Sequence, residues 1–216
     1  MRPAVVDNAG STIKVVVTLA ELQQEASACV RCPLSRGRTT VVFGEGAPDA
    51  DLLVVGEGPG RDEDLQGRPF VGRSGRLLDR LLLEELGMPR SSCYIANVVK
   101  CRPPGNRDPQ PDEIAACRPW LEAQVDLIAP RVVLTLGNFS TKLLLNTTDG
   151  IRRTRGRVYP FGVAGVVLVP TYHPAAALRG GGEVLAEMRA DFVRAKEALA
   201  RSRQGQLRAA PLQVSP

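Results

Sequence analysis

Asp51-Leu52-Leu53-Val54-Val55-Gly56, running into Glu57-Gly58-Pro59-Gly60, is the stretch on which the fold turns. An unbroken apolar run of this length, stopped by glycine, predicts a short strand buried on both faces. A loop rich in Gly and Arg follows. Beyond it, leucines at 77, 78, 81, 82 and 86 trace one face of a helix over 74–86, which Gly87 and Met88-Pro89 end. Tyr94–Val99 is the next strand, and Pro111-Asp112-Glu113 opens a helix that reaches Ile128 and carries Cys117 and Trp120. Arg131–Leu136 reads as a strand, Asn138–Leu145 as a helix, Val166–Val169 as a strand and Glu183–Ala200 as a last helix. Upstream, Thr18 with Glu21 forms a capping box for a helix that ends near Ala28 and delivers Cys29 and Cys32.

Strands alternating with helices predict an α/β fold: a three-layer sandwich whose central, mainly parallel, four-stranded sheet is flanked by helices. The expected domain is 18–200, with a loose segment over 1–17 and a disordered tail over 201–216, which is polar and without apolar period. In such sheets ligands gather at the carboxyl ends of the strands. Four distinctive segments fall there: Gly56–Gly60, Asn97, Gly137 and His173-Pro174.

The chain has 216 residues, 44% of them hydrophobic, and a net charge of +5. That balance fits one globular domain and argues against wholesale disorder. No apolar stretch is long enough to span a bilayer, and the N-terminus lacks a basic region followed by a long apolar one, so a cytoplasmic protein without a membrane partner is expected. Of the 28 basic residues 24 are Arg, whose planar fork suits phosphates and stacked bases, although a GC-rich genome produces the same bias. Charge alone therefore permits a nucleic-acid partner without showing one.

The cysteines are Cys29, Cys32, Cys93, Cys101 and Cys117. An odd number in a chain without an export signal argues against a disulfide framework. Cys29-Val30-Arg31-Cys32 can bring two thiolates to one centre, and Cys101 with Cys117 would complete four sulfurs for zinc or a 4Fe-4S cluster. The lack of a second close pair favours the cluster over a zinc ribbon; Cys101 and Cys117 as mere buried small residues is the plain alternative. Cys93 reads as packing.

Taken together, Gly56-Glu57-Gly58-Pro59-Gly60, the run Gly67-Arg68-Pro69-Phe70-Val71-Gly72-Arg73-Ser74-Gly75, the run from Asn97 through Lys100-Cys101-Arg102 to Arg107, and His173-Pro174-Ala175-Ala176 resemble the family 4 uracil-DNA glycosylases. The resemblance runs from about residue 18 to 198. It implies an α/β fold and a structural 4Fe-4S cluster on Cys29, Cys32, Cys101 and Cys117. The implied activity is hydrolysis of the bond between uracil and deoxyribose in DNA, which leaves an abasic site for base excision repair.

By the same resemblance Phe70 stacks on the flipped base, Asn97 reads its Watson-Crick edge, and His173 donates to O2 as negative charge develops. Gly56, Glu57 and Gly58 form the pocket floor, and Glu57 positions or activates the water. Gly58 and Gly60 depart from the best-known branch of the wider superfamily, which has aspartate and tyrosine there; exclusion of thymine then falls to another wall, with the Glu57 side chain as the candidate. DNA contacts are expected from Lys100, Arg102 and Arg107, from Arg152, Arg153, Arg155 and Arg157, and from Arg179, with Leu178 as a wedge. A nucleic-acid-binding module without hydrolysis is the competing reading. With one histidine in the chain, a branch that uses an extra histidine for a covalent adduct is disfavoured. The expected enzyme is a monomer acting on uracil-containing DNA, nucleoid-associated in a bacterium or archaeon, with repair or replication partners left open.

Overall fold

The computed structural model describes residues 18–162 and 165–204. The 1–17 segment and residues 205–216 of the tail lie outside the described residues. Helix α1 (Leu19–Ser27) begins at Thr18, whose Oγ1 accepts from the Glu21 amide, as the capping box predicts. The chain then runs through β1 (Glu45–Gly46), β2 (Leu52–Gly56), α2 (Arg61–Gln66), α3 (Arg73–Leu81, continued by a π turn to Leu86) and β3 (Tyr94–Asn97). It continues through α4 (Pro111–Ile128), β4 (Val132–Leu136), α5 (Asn138–Leu145), α6 (Ile151–Thr154), β5 (Tyr159–Pro160), β6 (Val167–Thr171) and α7 (Pro174–Arg203).

The sheet order is β1-β3-β2-β4-β6-β5. The four inner strands are parallel, as expected, and the edge strands β1 and β5 pair antiparallel, extending the expected four to six. Each edge strand has two residues, too few to show a period in sequence. Every residue of β2, β3, β4 and β6 is buried, because each face of the sheet meets its own core. Leu52, Val54, Ile95 and Leu134 pack with Leu78, Leu81, Met188 and Phe192 from α3 and α7 on one side. Leu53, Val55, Ala96 and Val133 pack with Leu22, Trp120, Leu121 and Ile128 from α1 and α4 on the other. Covered on both sides, the strands carry no polar alternation.

The last helix begins nine residues earlier than the expected Glu183, at Pro174, and breaks at Gly181 (φ 74°). It also takes in Arg201–Arg203, which the composition places in a disordered tail. Arg203 is held there by Asp51, with Nη2 donating at 2.7 Å.

Candidate active site

The carboxyl ends of β2, β3 and β6 open on one cleft of about 580 Å³, lined by Glu57, Gly58, Phe70, Asn97, His173 and Arg179 among others. Gly56 makes their convergence possible. A Cβ there would lie 2.5 Å from Asn97 Oδ1 and 2.6 Å from Phe70 Cζ, so any side chain would push the two apart. Gly75, in the first turn of α3, is needed just as strictly, because its Cβ would overlap the Phe70 carbonyl. Phe70 itself is buried at φ 53°, a left-handed conformation unusual for a residue with a side chain and one that costs on the order of 1–3 kcal/mol. Its ring centroid stands 5.7 Å from that of His173, tilted by 34°. Glu63 braces the loop around it, accepting from the amides of Gly60 and Val71 at 3.2 and 3.1 Å.

Asn97 is 2% exposed, and its Oδ1 has no hydrogen-bond partner among the described residues. A buried acceptor left unpaired costs about 1–3 kcal/mol, and such atoms are rare except where a ligand supplies the donor. His173 caps α7, its Nδ1 accepting from the Ala175 amide at 3.1 Å. With Nδ1 used as an acceptor, the ring proton sits on Nε2, the nitrogen left to donate. Burial, helped by the positive charge of Arg179 and opposed by Glu63, lowers the His173 pKa to about 4, so the ring is neutral at pH 7. Glu57 moves the other way: burial, then the charge of Asp108 and a hydrogen bond with it, raise its pKa to about 7.

Cys29, Cys32, Cys101 and Cys117 ring a second cavity, between the end of α1, the loop after β3 and α4, while Cys93 lies in the core across the sheet. Four thiols face one space, and their soft sulfur donors are of the kind that holds zinc or an iron-sulfur group; among the described residues no three Cys, His, Asp or Glu side chains are grouped so as to hold a metal ion. Two sulfurs already accept hydrogen bonds: Cys117 Sγ from the Lys100 amide at 3.2 Å and Cys101 Sγ from Arg38 Nη1 at 3.4 Å. Donors of this kind support thiolate sulfur. Arg31 lies over Trp120, 4.6 Å from its ring centroid, at the rim of the cavity.

The structure corrects part of the expected DNA grip. Lys100 is 1% exposed, and its Nζ donates to the Asn97 carbonyl at 2.8 Å and to Gln124 Oε1, so it cannot reach a phosphate. Arg155 is also withdrawn: it forks onto Asp191 at 2.8 and 3.0 Å and reaches Glu187 at 3.2 Å. Arg107 is clamped by the buried Glu113 at 2.6 and 2.9 Å. Arg179 and Leu178 are exposed beside the cleft, Arg102 donates only to Asn106, and Arg153 is 81% exposed with a loose ion pair to Asp149. Asp108 and Glu63 were not among the expected site residues. Glu63 had a signal, standing three residues after the helix-opening Gly60; Asp108 had none beyond adjoining Arg107.

The family model of the Uracil DNA glycosylase superfamily matches residues 43–200. The chain is 46% identical over 167 residues to the type-4 uracil-DNA glycosylase of Sulfurisphaera tokodaii, covering 74% of this chain and 76% of that one. Against the type-4 enzyme of Saccharolobus solfataricus it is 44% identical, covering 82% and 85% of the two chains. Against that of Thermotoga maritima it is 45% identical, covering 73% and 82%. With likeness of this extent to relatives of one type, the chain belongs to the type-4 uracil-DNA glycosylases of that superfamily.

Proposed function

We infer that this protein hydrolyses the N-glycosidic bond of uracil in DNA and leaves an abasic site, the first step of base excision repair. The observation that carries the reading is the unpartnered, buried Oδ1 of Asn97, set beside Phe70 and the neutral ring of His173. An acceptor there meets N3–H of uracil while the amide Nδ2 donates to O4; cytosine presents the reverse pattern and is refused. The base must leave the stack to enter, and Phe70 gives it a ring to lie on.

As the bond to the sugar breaks, negative charge gathers on the base, and Nε2–H of His173 donates to O2. A neutral donor serves here, since no proton has to be delivered to O2 itself. Glu57, at the mouth of β2, orients the water that attacks the sugar and takes its proton. Its side chain also stands as the wall against the methyl group of thymine.

Cys29, Cys32, Cys101 and Cys117 would hold the 4Fe-4S cluster. When bound, it supplies iron-thiolate cross-links that tie α1 and α4 to the loop after β3. DNA phosphates are met by Arg179, Arg102 and Arg153, with Leu178 filling the gap left by the flipped base. One copy of the chain contains the whole cleft, in keeping with a monomer working on nucleoid DNA. No described helix is long and apolar enough to cross a membrane.

Incubating the purified protein with a uracil-containing oligonucleotide, then alkali, tests the reading. Strand cleavage at uracil, and none at cytosine or thymine, is expected; binding without cleavage would leave only a uracil-DNA binding module.

A further inference from the structure

Asp108 has no role in the chemistry above, yet it lines the cleft beside Glu57. Two grooves meet at Glu57, Asp108 and His173: the base cleft, and a neighbouring groove of about 700 Å³ that runs along Asn138, Phe139, Lys142 and Thr147. Asp108 is exposed, but its backbone is braced, because Arg107 Nη1 donates to the Asp108 carbonyl at 2.9 Å while Glu113 clamps the same guanidinium. Glu57 and Asp108 line both grooves side by side, and the charge of Asp108 and a hydrogen bond with it add to burial in raising the Glu57 pKa. Two carboxyl groups can bond in this way only by sharing a proton, and their charges resist ionising together.

We infer that Asp108 is a positioning residue for uracil excision, standing beside Glu57 where the two grooves meet so that the two carboxyl groups together hold the attacking water. This rests on the glycosylase reading. In the step, water oxygen bonds to C1′ and the C1′–N1 bond breaks, with its electron pair leaving on uracil. The water proton passes to ionised Glu57, and solvent later protonates the uracil anion. The reaction therefore needs Glu57 ionised, and burial with the neighbouring charge of Asp108 keeps the proton on Glu57 until about pH 7. Facing the pair are Glu63 of α2, Arg118 of α4, Lys142 of α5, His173 and Arg179 of α7, and Arg107. Of these His173 is neutral above about pH 4, so it supplies no transition near neutrality.

The test is single-turnover excision from a uracil oligonucleotide between pH 5 and 9, for the intact protein, Asp108→Asn and Glu57→Gln. The wild type should lose about tenfold in rate on going one unit below the transition near pH 7. Asp108→Asn removes the neighbouring charge and leaves an amide that can donate to Glu57, so its acid limb should move down. At pH 6 it should keep about five times more of its own plateau rate than wild type does. Glu57→Gln should show no acid limb. If Asp108→Asn and wild type superimpose while both excise uracil, the inference fails alone; if wild type excises no uracil at any pH, the glycosylase reading fails and takes this inference with it.

Discussion

The base cleft and the cysteine cavity lie at the two ends of one five-residue segment, Asn97 to Cys101, and they differ in how the groups set to meet a ligand are supported. In the cleft Asn97 Oδ1 is buried without a partner, and Phe70 is held at positive φ. In the cavity the sulfurs of Cys101 and Cys117 are met by Arg38 and by the Lys100 amide. The cleft leaves the Asn97 acceptor open, whereas two sulfurs of the cavity are reinforced from the protein side, although Trp120 Nε1 in its lining is unpaired among the described residues. Lys100 joins them, with its amide on Cys117 and its ammonium on the Asn97 carbonyl, so it ties the cavity to the strand end that carries Asn97.

The sharpest way to separate the two regions is to damage the cleft alone. Asn97→Asp and His173→Ala should each slow single-turnover excision by about 10²–10³ while leaving iron content and visible absorption unchanged. Gly56→Ala should follow at about 10², because its Cβ displaces both Asn97 and Phe70; normal activity would mean that their close approach is dispensable.

Cys117→Ser attacks from the other side. It should abolish the visible iron-sulfur band and lower the melting temperature, and through Lys100 it should weaken uracil binding. An unchanged spectrum would remove Cys117 as a ligand. The smallest effects come from the arginines. Arg179→Ala should weaken DNA binding for all sequences and reduce the salt slope by about one, read from binding isotherms over a range of salt. Arg155→Ala should leave that slope unchanged while costing about 3 kcal/mol of stability, since the buried Asp191 loses its cation and keeps the Thr171 hydroxyl.

The unequal fates of these arginines show where sequence is readable. The inner strands were legible because burial on both faces writes itself as an unbroken apolar run; Asn97 and His173 stood out by their motifs at the ends of such runs, and the structure brings both to the cleft. Lys100 and Arg155 were misplaced because a cation in a loop looks the same whether it faces solvent or a buried carbonyl or carboxylate. Only tertiary packing brings Gln124 over Lys100 and Asp191 against Arg155. The first turns of α7 were hidden by Gly180-Gly181-Gly182, which reads as a loop but contains one sharp break. Asp108 became visible only once a turn of chain carried it over to Glu57.

His173 is at once the donor assigned to O2 and the cap of the first turns of α7, ahead of its break at Gly181. One imidazole nitrogen is committed to folding and the other to the reaction, so the two demands are inherited together. Asparagine or serine at 173 could still cap the helix, which such residues do to the extent of about 1 kcal/mol relative to alanine, without offering a ring to the base. Variants of that kind would dissociate what the native residue binds into a single selectable trait, and position 173 thus places robustness of the fold and turnover under common constraint.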